Sequence, residues 1–165
     1  LMIQTKRLKI KNFNLNLVNS KYLEWFSDNE VKKNITFKCK NIDQLKNDVK
    51  KKLNKKDSLF LSIHTKSNKH IGNIFFHNID LKQNSAYMGI LIGDKSWRGK
   101  GVGSETINSI VEKILIKKKI YYLFLGVSNK NKIAIKLYKK IGFKNHGIKK
   151  ITRLMKLDTK NKSRI

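Results

Sequence analysis

Gly89-Ile90-Leu91-Ile92-Gly93-Asp94-Lys95-Ser96-Trp97-Arg98-Gly99-Lys100-Gly101-Val102-Gly103-Ser104 carries an apolar strand into a basic, glycine-rich turn. Ile107, Ile110, Val111 and Ile114 follow at helical spacing, so the turn opens a helix. Strand, loop and helix start in that order make a cradle of the kind that holds a pyrophosphate. Gly99, Gly101 and Gly103 permit positive φ and close approach of the main chain, and Arg98 and Lys100 bring charge. The unpaired amides of the first helical turn point outward at the anion. Ser104 and Glu105 fall in that turn, where an oxygen and a negative charge suit the helix end.

Working outward, Arg7 to Lys11 alternates as a short strand, and Ser20 to Phe26 reads as a helix followed by a helical turn from Glu30 to Ile35. Together these form a helical lid. Leu45, Val49 and Leu53, four apart, predict an amphipathic helix over Ile42 to Lys55. Ser58 to Thr65 and His70 to Ile79 are strands joined as a hairpin by Lys66-Ser67-Asn68-Lys69, and Ala86 to Ile92 is the next strand. Ile120 to Val127 is a continuous apolar run, which predicts a strand buried on both faces. Ala134, Leu137, Tyr138 and Ile141 mark a helix capped by Gly142, and one or two closing strands come from Lys144 to Lys150 and Ile151 to Leu157. The fold class is mixed α/β, with a central twisted sheet of about six to seven strands and helices on both faces. A helix crosses between the strand ending at Ile92 and the strand from Ile120, so those two run parallel. The glycine loop then lies at the carboxyl end of a strand, where open α/β sheets place ligands.

At 165 residues the chain predicts a single domain over residues 1–165. It has no apolar run long enough to span a bilayer, and Met2 to Arg7 lacks the apolar stretch of a secretory signal, so a cytoplasmic location is expected. Cys39 is the only cysteine; it has no disulfide partner and no Cys-type zinc framework to join, and no metal is expected. A net charge of +27 ordinarily suggests nucleic acid, an anionic membrane or an acidic substrate. Here the basic residues are nearly all lysine, spread over every segment of a chain also rich in Asn and Ile, which is the mark of a codon-biased genome. Lys50-Lys51-Lys52, Lys55-Lys56 and Lys117-Lys118-Lys119 read as solvated faces, and the scatter argues against nucleic acid.

Arg98-Gly99-Lys100-Gly101-Val102-Gly103 resembles the Q/R-x-x-G-x-G/A loop of the GNAT superfamily of acetyl-CoA-dependent N-acetyltransferases. A second stretch, Asn131-Lys132-Ile133-Ala134 followed by Leu137-Tyr138-Lys139-Lys140-Ile141-Gly142-Phe143, resembles that superfamily's other signature. Two signatures at the proper separation are far more specific than either alone. Asn131 and Tyr138 are also seven residues apart, so both project from one helix face about 10 Å apart along its axis, within reach of one extended ligand.

The resemblance implies the GNAT fold, acetyl-CoA as cosubstrate with no metal, and transfer of its acetyl group to a primary amine. Ile90, Leu91 and Ile92 would lie along the pantetheine arm, one amide of the Gly89 to Ile92 strand polarising the thioester carbonyl. Arg98 through Ser104 would hold the pyrophosphate, with Asn131 a further cofactor contact. Tyr138 would be the general acid, since a phenol near 10 keeps its proton at pH 7 and a thiolate near 8.5 accepts one as it leaves.

Relatives that acetylate protein termini carry a glutamate twelve residues before the tyrosine, where this chain has Gly126. Others place an acid just before the Met88-Gly89 equivalent, where this chain has Tyr87. With no carboxylate base, His77 is the remaining candidate, an imidazole near 6.5 being suited to act through water. The acceptor is therefore expected to be weakly basic. Tyr22 to Val31, with Glu24, Trp25 and Glu30, resembles a segment bordering the acceptor cleft in a branch holding ribosomal-protein terminal acetyltransferases and acetyltransferases of nucleotide-linked amino sugars. Glu24, Trp25, Glu30 and Tyr87 are accordingly candidate acceptor residues, and a nucleotide-linked amino sugar is the leading acceptor. Protein N-terminal acetylation is the alternative, and a lysine-rich nucleic-acid-binding module or a CoA-binding pseudoenzyme are alternatives of other classes. Gly147 to Leu157 leaves little room for a long closing hairpin, so the acceptor pocket is expected to be open or completed by a second subunit as a homodimer.

Overall fold

Asparagine and aspartate cut the helices out of this lysine-rich chain. Asn19 accepts a hydrogen bond from the Tyr22 amide, Asp28 from Glu30 and Val31, Asn41 from Gln44, and Asn131 from Ala134, each ending an irregular or extended stretch and starting a helix. The structure, a computed structural model, describes residues 1–160. In chain order it runs β1 (Met2–Gln4), β2 (Leu8–Asn12), α1 (Ser20–Glu24), α2 (Asn29–Asn34), α3 (Ile42–Asn54), β3 (Leu59–Thr65), β4 (His70–Asp80) and β5 (Ser85–Ile92). There follow α4 (Val102–Ile110), β6 (Tyr122–Ser128), α5 (Lys132–Ile141), β7 (Lys144–Lys149) and β8 (Thr152–Asp158).

All eight strands join one sheet in the order β1-β2-β3-β4-β5-β6-β8-β7. The count exceeds the expected six to seven because Met2–Gln4 pairs with Lys9–Lys11 and both closing segments are strands. Their connection is short, Lys150 and Ile151, with Lys150 at φ 54, so β8 pairs with β6 along its full length. Among the described residues only β5 and β6 pair in parallel, as the crossing helix requires. The lid helix ends early: Trp25–Ser27 tightens into a 3₁₀ turn between α1 and α2. After α4 the chain widens into one π turn over Val111–Leu115, with the Ile116 amide 3.1 Å from the Val111 carbonyl.

The two sheet faces are covered unequally. On one, α4, the π turn and α5 bury Ile74, Phe76, Ala86, Met88, Leu123, Leu125, Met155 and Leu157. On the other, α1 to α3 bury Phe13, Tyr22, Trp25, Phe26, Leu45 and Val49 against Phe60, with Phe75 and Leu91 packed alongside. That second layer lies over β3 and β4 and does not extend to β6. The expectation that Ile120 to Val127 is buried on both sides is therefore corrected: Leu123, Leu125 and Val127 are buried, while Phe124 is half-buried and Gly126 exposed.

Beyond the register Ser85–Tyr87 against Tyr122–Phe124, β5 and β6 no longer pair. Gly89–Ile92 continues on β4 alone and Leu125–Ser128 on β8 alone, so the sheet opens into a wedge with its apex at Tyr87 and Phe124.

Candidate active site

The glycine loop stands at the wide end of this wedge. Gly99 (φ 70) and Gly101 (φ 76) take left-handed conformations that favour glycine, and Gly101 starts α4 with no side-chain cap. The first amide of α4 with an intrahelical acceptor is Glu105, 3.0 Å from the Gly101 carbonyl; those of Val102, Gly103 and Ser104 precede the ladder. Gly103 corrects the sequence reading. It is helical, and its missing side chain serves the packing of α4 on α5, since a Cβ there would lie 3.0 Å from Leu137 Cδ2.

Two arginines fix the loop from behind. Arg98 donates to the carbonyls of Ile92 and Gly93, both at 2.8 Å, and reaches Asp28 Oδ1 and Glu30 Oε2, each at 3.1 Å. Arg7 donates to the Lys100 carbonyl at 2.8 Å and pairs with Glu105 through Nε at 2.7 Å and Nη2 at 2.6 Å. Burial pushes the Glu105 carboxyl up, but hydrogen bonds from Thr5 and Arg7 outweigh it and hold the carboxyl below the ordinary range. Lys95, 2.8 Å from Asp28 Oδ2, is the foremost reason Asp28 sits well below the usual carboxylate range. These bonds occupy the carbonyls of the loop and leave its amides for a ligand. Val102 is buried with Leu8, Ile63 and Ile71, anchoring the helix end, while Lys100 is exposed and Ser104 half-buried.

Ile90 and Ile92 face the α4 side and Leu91 the lid side of β5. Their strand borders the wedge, so backbone groups of Gly89–Ile92 that turn toward β6 have no strand partner there. Tyr138 is buried on α5 with its ring 5.6 Å from Phe143, and burial pushes its phenol up to about 12. Asn131 uses Oδ1 to cap α5, 3.1 Å from the Ala134 amide, and its Nδ2 makes no hydrogen bond among the described residues.

Trp25 is buried against Gly93 and 4.7 Å from the His70 ring, and Glu30 is engaged by Arg98, so both tie the lid to the loop. Glu24 is exposed on α1. Tyr87 and His77 come together on the uncovered sheet face, in a file of rings not apparent from sequence. Phe75–His77, His77–Tyr87 and Tyr87–Phe124 have centroids 5.4, 5.7 and 5.3 Å apart at interplanar angles of 21°, 26° and 29°, and Phe124–His146 continues the file at 5.3 Å. The signal was the spacing of two between Phe75 and His77, which places both on one face; the register that adds Tyr87 and Phe124 is set only by sheet formation. No group of three or more histidine, cysteine or acidic side chains that could hold a metal occurs among the described residues. Nor is any helix among them long and apolar enough to cross a membrane.

Sheet, wedge and loop define a known class. The acetyltransferase (GNAT) domain family matches residues 7–144, and the chain belongs to that family. It is an acetyl-CoA-dependent N-acetyltransferase. Solved structures of the same fold include a ribosomal L7/L12 alpha-N-protein acetyltransferase in complex with coenzyme A, 12% identical at TM-score 0.84 over 96% of this chain and 98% of that one. A spermidine N-acetyltransferase chimera from Vibrio cholerae and hSSAT is 16% identical at TM-score 0.80 over 96% of this chain and 99% of that one. The microcin C7 self-immunity acetyltransferase, in complex with acetyl-CoA and AMP, is 18% identical at TM-score 0.79 over 93% of each chain. No curated protein sequence matches the chain.

Proposed function

We propose that this enzyme acetylates a primary amine of low basicity, carried by a nucleotide-linked amino sugar, within the cytoplasm. Acetyl-CoA lies with its pyrophosphate on the amides of Gly99 to Ser104 and its thioester in the wedge, and the amine enters from the opposite, uncovered face. The carrying observation is the file Phe75, His77, Tyr87 and Phe124, which crosses that face at the wedge apex and contains no carboxylate.

The nitrogen lone pair attacks the thioester carbonyl carbon, an amide of the Gly89–Ile92 strand steadies the oxyanion, and the carbon–sulfur bond breaks. The nitrogen loses one proton and the sulfur gains one. A phenol near 12 yielding its proton to a thiolate near 8.5 is uphill by about 5 kcal/mol. Tyr138 therefore acts first as a hydrogen-bond donor to the departing sulfur, and the proton shed by nitrogen, received by His77 or by water, closes the balance. A lysine amine near 10.4 is neutral in only about one molecule in 2,500 at pH 7, against about one in seven for an amine near 7.8. With no carboxylate in that file of rings, and Glu30 engaged by Arg98, this face favours the second kind.

The open face also admits a chain terminus, which keeps protein N-terminal acetylation as the second reading. Release of free CoA thiol from acetyl-CoA, measured with UDP-linked amino sugars, free N-terminal peptides, lysine peptides and polyamines, separates the two. The amino sugar is expected to react fastest. Faster reaction of the terminal peptide assigns the second reading, and faster reaction of lysine or polyamine removes both.

A further inference from the structure

The aromatic file begins beside a concentration of positive charge. Lys51, Lys52 and Lys55, at the end of α3, line with Phe75 and His77 a groove of about 370 Å³. Lys52 is part of the framework: its Nζ is 2.6 Å from Asp48 Oδ2 and 5.4–5.5 Å from the ring centroids of Phe37, Phe60 and Phe75. Lys55 has only Asn78 Oδ1 at 3.4 Å and Asp57 at 4.0 Å. Lys51 is exposed, with no carboxylate bound to it among the described residues. Two ammonium groups are thus available over an aromatic floor, on the face from which the acceptor reaches the wedge.

We propose that this groove is an anion subsite for the acceptor, holding a phosphate attached to the amino sugar. The inference rests on the amino-sugar reading above and specifies how that acceptor is held. Two ring spacings, 5.4 and 5.7 Å, separate Phe75 from Tyr87 at the wedge apex. An amine in the wedge and an anion at Lys51 and Lys55 are then joined by one sugar ring, whose oxygens lie along the edges of His77 and Tyr87. Aromatic edges carry partial positive charge, so the file itself suits an oxygen-rich, anionic molecule. Gly89 extends this floor without obstruction, a Cβ there meeting nothing within 4 Å. The subsite is separate from the glycine loop, which takes the cosubstrate's pyrophosphate at the N-terminus of α4. Unlike the helix-terminal loop, it works by point charges, which steer and orient the acceptor.

The test is steady-state kinetics of the full chain and its Lys51→Glu/Lys55→Glu variant with a UDP-linked amino sugar, the corresponding amino-sugar phosphate and the free amino sugar. The KM of each phosphorylated acceptor, divided by that of the free sugar, should rise at least about tenfold, and Lys51→Arg/Lys55→Arg should restore most of the difference. A rise confined to the UDP-linked sugar puts only the outer phosphate of the diphosphate in the groove and overturns the subsite for the phosphate borne by the sugar. A Lys117→Glu/Lys118→Glu variant, with the same change of charge outside the groove, should leave the ratio unmoved; an equal rise there reduces the effect to long-range steering and overturns the subsite. An unchanged ratio in the Lys51→Glu/Lys55→Glu variant overturns it as well. If no amino sugar is acetylated, the functional reading fails by itself, and the groove is judged by calorimetric titration of UDP into protein saturated with CoA. Binding lost in the Lys51→Glu/Lys55→Glu variant and kept in the Lys117→Glu/Lys118→Glu variant supports the groove; binding equal in all three overturns it.

Discussion

Gly93 lies against the indole of Trp25 so closely that a methyl group at position 93 would overlap Cδ2, Cε3 and Cε2 of that ring. The contact joins the lid to the strand end that leads into the glycine loop, and Arg98 reinforces it by bridging the Gly93 carbonyl to Asp28 and Glu30. Gly93→Ala should destabilise the fold by about 1–3 kcal/mol, as overpacking of a filled site does. In a Trp25→Leu background the same change should cost less, a coupling that denaturant unfolding of the two single variants and the double variant measures directly.

The Arg7–Glu105 pair holds the loop from the far side, through the Lys100 carbonyl. Arg7 is 40% exposed and Glu105 18%, so the ion pair itself adds little stability after solvent screening. Its expected contribution is instead to hold the loop amides in place through the Lys100 carbonyl. Arg7→Met should raise the KM for acetyl-CoA about three- to tenfold, roughly 1 kcal/mol, with little loss in unfolding free energy and little change in kcat.

His70 is packed among Trp25, Tyr22 and Phe13, stacked on His64 at 5.2 Å, and 2.8 Å from Asn73 Oδ1. Burial pushes its imidazole down to about 4, and burial lowers His64 as well. The folded state therefore keeps His70 neutral at pH values where an unfolded histidine near 6.5 binds a proton. Stability is full above about pH 6.5 and is lost as pH falls toward about 4, by up to about 3 kcal/mol from His70. Unfolding free energies between pH 7 and 4 should show that slope, and His70→Phe should flatten it.

Removing the Tyr138 hydroxyl should separate chemistry from binding. Tyr138→Phe is expected to lower kcat by about a hundredfold or more while leaving the Kd for acetyl-CoA and the melting temperature close to wild type. Because the phenol stands at about 12, loss of its proton should not produce a falling limb in kcat between pH 8 and 10. A limb present in the wild type and absent from the variant would contradict this assignment.

The positions of the helices, the β3–β4 hairpin and the glycine loop were legible because each is set by local chemistry: periodic apolar positions, turn residues and left-handed glycines; the end of α1 was not, because Trp25–Ser27 tightens into a 3₁₀ turn where the apolar pattern continues. Asn68 at φ 65 and Gly142 at φ 110 occupy the turn and helix cap that their residue types announced. Met2–Gln4 is too short for a pattern and becomes a strand only by pairing with β2. The apolar run at Ile120 could not reveal that no helix covers its second face, which depends on how far the α1 to α3 layer extends. For the same reason the aromatic file has no sequence signal beyond Phe75 and His77, its members coming from four strands whose register is a property of the sheet. Trp25 was legible as an important residue, but its place against Gly93 required the tertiary fold.

The central claim is direct acetyl transfer across the β5–β6 wedge, from cosubstrate on one face to an amine on the other. A single turnover with isotope-labelled acetyl-CoA and a UDP-linked amino sugar, followed by NMR of product and mass spectrometry of the protein, tests it most directly. The label should appear as an amide on the sugar nitrogen and at no time on the protein. Labelled protein formed before acceptor is added, or no labelled sugar amide at all, would contradict the account.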